Sequence, residues 1–398
     1  MQFSRRISSL KPSPTVALNS LAKEMAQNGA PVINLSVGEP DFTTPKEIIQ
    51  VAIEALEAGK TKYGTPGGGA ELKAAISEKL KRDNQLKFAP DEIVAGIGAK
   101  EILFHLSLAL LNEGDEVLIP APYWVSYTTH CEAAGAVPVV IPMKTDDKSN
   151  FVLTPEDIEP YVTTKTKAIM LNSPNNPAGY VLSQEQLTSL GEYLAKKPWW
   201  VLSDEIYEYM SYDTPHVSLL HLAPSLRDRF VLINGMSKGF AMTGWRVGYA
   251  CGPKKLISLI KNLQSQSSTC IPGFIEAASS YALKQGAGIM ATEISTFEKR
   301  RELVSSYVSK IPNVGFINPS GAFYLFIDIR NFLLKAPTLS QPTSMAFAQY
   351  LLEKHYVAMV PGEAFGVSGF LRMSYASDSK KLTEGLDRFS KAIEELTN

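Results

Sequence analysis

Between about residues 70 and 270 the chain alternates two apolar patterns. The first is a short run rich in Val, Ile and Leu, at EIVAGIG (92–98), EVLIPAP (116–122), VPVVI (137–141), KAIMLN (167–172), WWVLSD (199–204), FVLIN (230–234) and VGYAC (247–251). A strand with one wet face alternates apolar and polar side chains, whereas a strand covered on both faces reads as a near-continuous apolar run. The second pattern repeats at helical spacing, as in AELKAAISEKLKRD (70–83) and KEILFHLSLALLNEG (100–114), where Gly114 is the expected C-cap. Ser183-Gln184-Glu185-Gln186 has the form of a capping box and predicts a helix running to about Lys196. Alternation of this kind predicts an α/β fold with a mostly parallel seven-stranded sheet flanked by helices.

The last third changes character. Long charged helices are expected near 291–311 and 379–396, with a strand at AFYLFID (322–328). A chain of 398 residues exceeds what one core usually organises. We therefore expect a large domain over 46–285, and a smaller α+β domain combining residues 1–45 with 286–398.

Composition narrows the function classes. Apolar residues make up 45% and charged residues 20%, with a net charge of −1, so nothing in the bulk charge favours nucleic acid or a membrane surface as partner. The cysteines Cys131, Cys251 and Cys270 are widely spaced, which argues against a disulfide framework or a zinc site. No His-x-x-x-His pair occurs, so no metal is expected. The basic N-terminal residues are not followed by an apolar stretch, and a cytoplasmic location is the expectation.

Four segments carry candidate chemistry. Gly96-Ile97-Gly98-Ala99-Lys100-Glu101 follows a strand and opens a helix, which suits an anion cradle, though a plain tight turn reads the same way. Asn172-Ser173-Pro174-Asn175-Asn176-Pro177-Ala178-Gly179 is a rigid turn after a strand, able to fix an Asn side chain at the sheet edge. Asp204 ends an apolar strand, where a buried carboxylate needs a cationic or hydrogen-bonded partner, or serves as a helix N-cap. Lys238, within NGMSKGFAMTGWRVGY (234–249), sits among small and apolar residues. Desolvation there favours the neutral amine that imine formation needs, while an exposed loop lysine is the alternative.

Together these segments resemble the class I aminotransferases among the fold-type-I pyridoxal-phosphate enzymes, over essentially the whole chain. SKGFAMTGWRVGY and SPNNPAG carry the resemblance most specifically. KPSPTVAL (11–18), LSVGEPDF (35–42), KYGTPGG (62–68), APYWVSY (121–127), GAFY (321–324) and LRMSYA (371–376) are similar to the branch containing bacterial aspartate and prephenate aminotransferases. The resemblance implies that Lys238 holds pyridoxal 5′-phosphate as a Schiff base and moves the substrate proton. It implies that Asp204 pairs with the ring nitrogen, Asn176 and Tyr207 with the ring oxygen, and that Trp124 stacks on the ring. Gly98, Ala99, Ser237 and Arg246 then meet the phosphate, with Tyr63 reaching the neighbouring subunit's phosphate across a homodimer. Arg372 and Gly38 grip the substrate α-carboxylate, and Lys100 the distal carboxylate of aspartate or glutamate. Thr15 is similar to a residue associated with prephenate. A prephenate or aromatic aminotransferase, or a C–S lyase on the same fold, is the alternative, and a non-catalytic regulator the more distant one. Two positions depart from the branch: Glu101 stands where Gln is usual, beside Lys100, and Ala178 where Thr is usual.

Overall fold

The computed structural model describes residues 3–8, 10, 12, 14–146, 149–337, 339 and 341–397. Lys11 and Ser13 of the KPSPTVAL segment lie outside them. All the expected strands of the central block form: β1 (Ile93–Gly96), β2 (Glu116–Ala121), β3 (Val137–Pro142), β4 (Thr166–Asn172), β5 (Trp200–Asp204), β6 (Phe230–Gly235) and β7 (Gly248–Cys251). They make one sheet in the order β1-β7-β6-β5-β4-β2-β3. Neighbours are parallel from β6 through to β3. β7 runs antiparallel to both β6 and β1.

The missing alternation has a direct cause. Val117 and Ile119 of β2 enter the core on one face, with Ile102, Leu106 and Ile260. Leu118 between them enters the core on the other, with Leu72, Ile76 and Leu190. Successive side chains feed opposite cores, so both must be apolar. The helix Ala70–Asp83 has the expected bounds. The helix Gln184–Ala195 opens on the expected capping box: Ser183 Oγ accepts from the Gln186 N–H at 3.2 Å, and Gln186 Oε1 from the Ser183 N–H at 2.9 Å.

One expected helix is displaced. It spans Gly98–Leu110 rather than 100–114. Leu111 is extended and buried, and a turn follows in which Asp115 Oδ2 accepts from the Asn112 N–H at 2.8 Å. Gly114, at φ 83°, serves that turn and not the helix end.

A second, antiparallel sheet comes from the last third: β8 (Gly315–Ile317), β9 (Tyr324–Asp328), β10 (Val360–Pro361) and β11 (Phe370–Ser374), in the order β8-β9-β11-β10. The helices Ala291–Val308 and Ser379–Thr397 supply Phe297, Val304, Leu382, Leu386 and Phe389 to its core. The N-terminal segment joins this part of the molecule. Ile33–Asn34 pairs in parallel with Val357–Ala358, and Ala22 packs on Leu352 and Ala358. No helix among the described residues is long and apolar enough to cross a membrane.

Candidate active site

The parallel strands all end on one edge of the large sheet, and ligands of open α/β sheets bind outside such an edge. A cavity of about 410 Å³ lies there. The cavity brings together Gly38, Ala99, Lys100, Trp124, Asn176, Asp204, Tyr207, Ser237, Lys238, Arg246 and Arg372. Gly98 sits just behind its wall: a Cβ at Gly98 would lie 2.3 Å from Arg246 Nη2. Tyr63 is not brought to it, and is 92% exposed.

Asp204 lies at the end of β5, 4% exposed. Tyr127 OH donates to its Oδ2 at 2.7 Å, and the Ile206 N–H to its Oδ1 at 3.2 Å. Burial pushes its carboxyl up to about 6, against the pull of those two hydrogen bonds. Asp204 is followed directly by a turn over residues 206–209 and not by a helix, so it is not an N-cap. Beside it the Tyr207 and Tyr324 hydroxyls are 2.8 Å apart.

Lys238 is partly buried, and its Nζ donates to Gly38 O at 2.5 Å. Burial, with the charges of Arg372 and Arg246, brings its pKa down to about 8, while Glu39 and Asp204 oppose the shift. The N-terminal segment clasps its loop. Thr44 Oγ1 donates to Ala241 O at 2.8 Å and accepts from Trp245 Nε1 at 2.9 Å, and Thr243 Oγ1 donates to Glu39 at 2.9 Å. Arg246 then takes φ 58°, a left-handed conformation unusual for a residue with a Cβ, and its Nη1 donates to Thr243 O at 2.8 Å. That turn aims the guanidinium at the N-terminus of the helix Gly98–Leu110, where unpaired N–H groups favour an anion.

Arg372, on β11, is 3% exposed. Its Nη1 donates to Asn176 Oδ1 at 3.0 Å and its Nη2 to Ser36 O at 2.6 Å, and its guanidinium lies 4.6 Å from the Tyr324 ring. A buried guanidinium in a cavity, with no carboxylate partner among the described residues, is set up to receive one. Asn176 is fixed in turn by its N–H, which donates to Asn172 Oδ1 at 2.9 Å. At the mouth, Lys100 Nζ stands 4.9 Å over the Trp124 ring, and desolvation and Arg246 lower its pKa. Glu101 turns the other way, with its Oε2 accepting from the Ile97 N–H at 2.5 Å. The acid beside Lys100 is thus spent on capping the helix. Ala178 is fully buried, and its N–H donates to Asn175 at 2.9 Å, so the turn closes without the usual hydroxyl.

Tyr127, Tyr324, Ser36 and Thr243 escaped the sequence reading as site residues. The two tyrosines stand inside the APYWVSY and GAFY segments, and a tyrosine close to an assigned residue was the available signal. Away from the cavity, Glu205, Glu208 and His216 cluster closely enough to hold a metal. Their carboxylates are already taken by Lys79, Asn84, Asn234, Ser203 and Ser218.

Residues 30–389 match the family described as aminotransferase class I and II. This chain belongs to that family. It is 41% identical over 394 residues to a probable aspartate/prephenate aminotransferase of Aquifex aeolicus, covering 98% of each chain. It is 40% identical over 400 residues to an aspartate aminotransferase of Rhizobium meliloti, covering 100% of this chain and 97% of that one. Among solved structures, the Rhizobium meliloti aspartate aminotransferase superposes with a TM-score of 0.95 at 41% identity, covering 100% of both chains. Aspartate aminotransferase from Thermus thermophilus with maleate gives 0.90 at 37% identity, covering 98% of this chain and 100% of that one. The α/β fold with its mostly parallel seven-stranded sheet is therefore the aminotransferase fold, as the sequence predicts.

Proposed function

We propose that this enzyme uses pyridoxal 5′-phosphate to move an amino group between L-aspartate or glutamate and a 2-oxo acid, in two half-reactions. One observation carries the reading: a buried acid, a depressed lysine and a buried arginine share one cavity, as Asp204, Lys238 and Arg372. The residues fit the cofactor. Asp204 is a buried carboxylate with no ion pair among the described residues, and a protonated ring nitrogen would supply the cation. Gly98 and Ala99 open a helix, Arg246 is aimed at its N-terminus, and Ser237 lines the same cavity, which suits the phosphate. When bound, the cofactor supplies an aldehyde for the amino group and an electron sink for the substrate Cα.

The chain's own groups do the rest. Lys238 Nζ, with a pKa of about 8, is in part neutral at physiological pH and able to carry a proton in the cavity. Asn176 and Tyr207 would hold the ring oxygen, and Trp124 would cover the ring face. Arg372 binds the α-carboxylate beside Gly38, and Lys100 binds a second carboxylate at the mouth. This pairing of cations favours a dicarboxylate transaminase over a C–S lyase. Thr15 lines the same cavity, and the Aquifex relative is named for prephenate as well as aspartate. Both favour prephenate as an additional amino acceptor.

We further propose a homodimer in the cytoplasm, in which the exposed Tyr63 reaches the partner's phosphate. A large domain over 46–285 then carries the cofactor, and a small domain of 1–45 and 286–398 carries Arg372. The test is a visible absorption spectrum of cofactor-reconstituted protein with amino acids added in turn. A band that converts to the amine form with L-aspartate is the expected result, and absence of any protein-bound band refutes the reading.

A further inference from the structure

We infer that Asn34 is a positioning residue for the substrate carboxylate, acting on Arg372 through Ser36; the inference rests on the proposed role of Arg372. Two hydrogen bonds orient the Arg372 guanidinium, one to the Asn176 side chain and one to the Ser36 carbonyl. Its Nε is buried with no hydrogen-bond partner among the described residues. Ser36 O therefore sets half of the polar restraint on the guanidinium.

Ser36 lies beyond the end of the strand Ile33–Asn34, and its N–H and hydroxyl are held by a side chain, that of Asn34. Asn34 Oδ1 accepts from the Ser36 N–H at 3.1 Å and from the Ser36 hydroxyl at 2.7 Å. A backbone N–H can only donate, so the Asn34 atom facing it is the oxygen. Its Nδ2 then points the other way, where it donates to Asn19 Oδ1 at 2.8 Å. Asn19 stands on the helix Pro14–Gln27 and lines the cavity with Thr15 and Val16. A polar chain thus runs Asn19–Asn34–Ser36–Arg372, from one wall of the cavity to the guanidinium.

The backbone on either side is anchored independently. The Leu35 N–H donates to Ala358 O at 3.0 Å, and the Ser374 N–H to Leu35 O at 2.8 Å. Changing the Asn34 side chain accordingly frees the Ser36 N–H and hydroxyl, and with them the setting of the Ser36 carbonyl, without unzipping the segment. Arg372 then loses aim but remains in place. A carboxylate is gripped alike before and during the reaction, so the loss falls on KM and spares kcat. Every amino acid carries the α-carboxylate, so the effect is the same for substrates with and without a distal one.

The experiment compares holoenzyme variants with L-aspartate and with L-alanine. Asn34→Leu has a similar volume and no acceptor. It is expected to raise KM for both amino acids by a common factor of about tenfold, the loss of one or two hydrogen bonds to a buried group. Asn34→Asp keeps the acceptor oxygen, and the Asn19 amide can turn to donate to it, so KM is expected to return to within about threefold of the parent. If Asn34→Leu does not fold, Asn34→Ala carries the same comparison. An unchanged KM, a fall confined to kcat, or no rescue by Asp overturns the inference. Arg372→Lys run alongside separates the two layers. If it leaves both KM values unchanged, the reading of Arg372 fails; if it raises them while Asn34→Leu does not, the positioning role alone fails.

Discussion

Replacing Tyr127 with Phe removes one hydroxyl from the floor of the cavity and leaves its ring. That hydroxyl donates to Asp204 Oδ2 at 2.7 Å, and both groups are buried. Burial and the neighbouring Asp204 hold the Tyr127 phenol well above its ordinary pKa, so it remains a donor throughout the working pH range. A hydrogen bond to a charged acceptor contributes about 1.5–3 kcal/mol. Part of that survives when the acceptor is a neutral carboxyl, so we take the lower end. One pKa unit corresponds to about 1.4 kcal/mol, which makes the hydroxyl worth about one unit. The bond favours the charged form, so its loss raises the pKa. Asp204 should move from about 6 in the parent to about 7 in Tyr127→Phe. At neutral pH the acid would then be half protonated in the absence of cofactor. Infrared difference titration of the apoenzyme follows the carboxyl band directly, and Asp204→Asn identifies which band it is. A midpoint that stays put, or moves down, refutes the argument that Tyr127 offsets the burial of Asp204.

Three further outcomes follow from the same geometry. Asp204 has a folded pKa of about 6 against an ordinary 3.8, so the folded apoenzyme holds a proton that the unfolded chain has released between these values. Its contribution is complete below about pH 4 and is lost as pH rises through about 6, by about 3 kcal/mol in all; urea unfolding of parent and Asp204→Asn should diverge across that window. Lys100→Ala should raise KM for L-aspartate about tenfold or more and leave KM for L-alanine nearly unchanged, because only aspartate presents a second carboxylate; equal effects would sink the assignment. Gly98→Ala should cost about 1–2 kcal/mol of stability from its left-handed backbone. Since the new Cβ would stand 2.3 Å from Arg246 Nη2, it should also weaken inorganic phosphate binding to the apoenzyme, measured by calorimetry.

Much of the sheet was legible because its strands are covered on both faces. Leu118 and its neighbours Val117 and Ile119 serve different cores, and that leaves an unbroken apolar run in the chain. The Ser183 capping box was legible because its chemistry is local. The end of the helix Gly98–Leu110 was not, because a side chain three residues past Asn112 captures the backbone and turns it before Gly114. Nor was the reversed direction of β7, since an apolar run reads alike in both senses. In the site, Lys238, Asp204 and Arg372 stood out because polar groups in apolar settings need a reason. Ser36 and Tyr324 did not, since a serine beside a strand and a buried tyrosine are ordinary. Glu101 lay between these cases. Its charge was visible and its direction was not, because capping of Ile97 depends on where the helix begins.

The reversed strand also fixes an order of events. Among the described residues β1 pairs with β7 alone, and Gly248 at the start of β7 packs so tightly on Gly98 and Ala99 that a Cβ there would stand 2.1 Å from the Ala99 nitrogen. Until Gly248 leaves the ribosome, the strand that leads into the anion cradle has no partner. At cellular synthesis rates the 152 residues from Gly96 to Gly248 take roughly 8–30 s to emerge. During that interval β1 is unpaired, and β2 to β6 can assemble without it. The cradle is therefore a late product of translation, made when Arg246 and its glycine neighbour arrive together. A nascent chain halted before residue 248 should hold most of the large sheet and no phosphate.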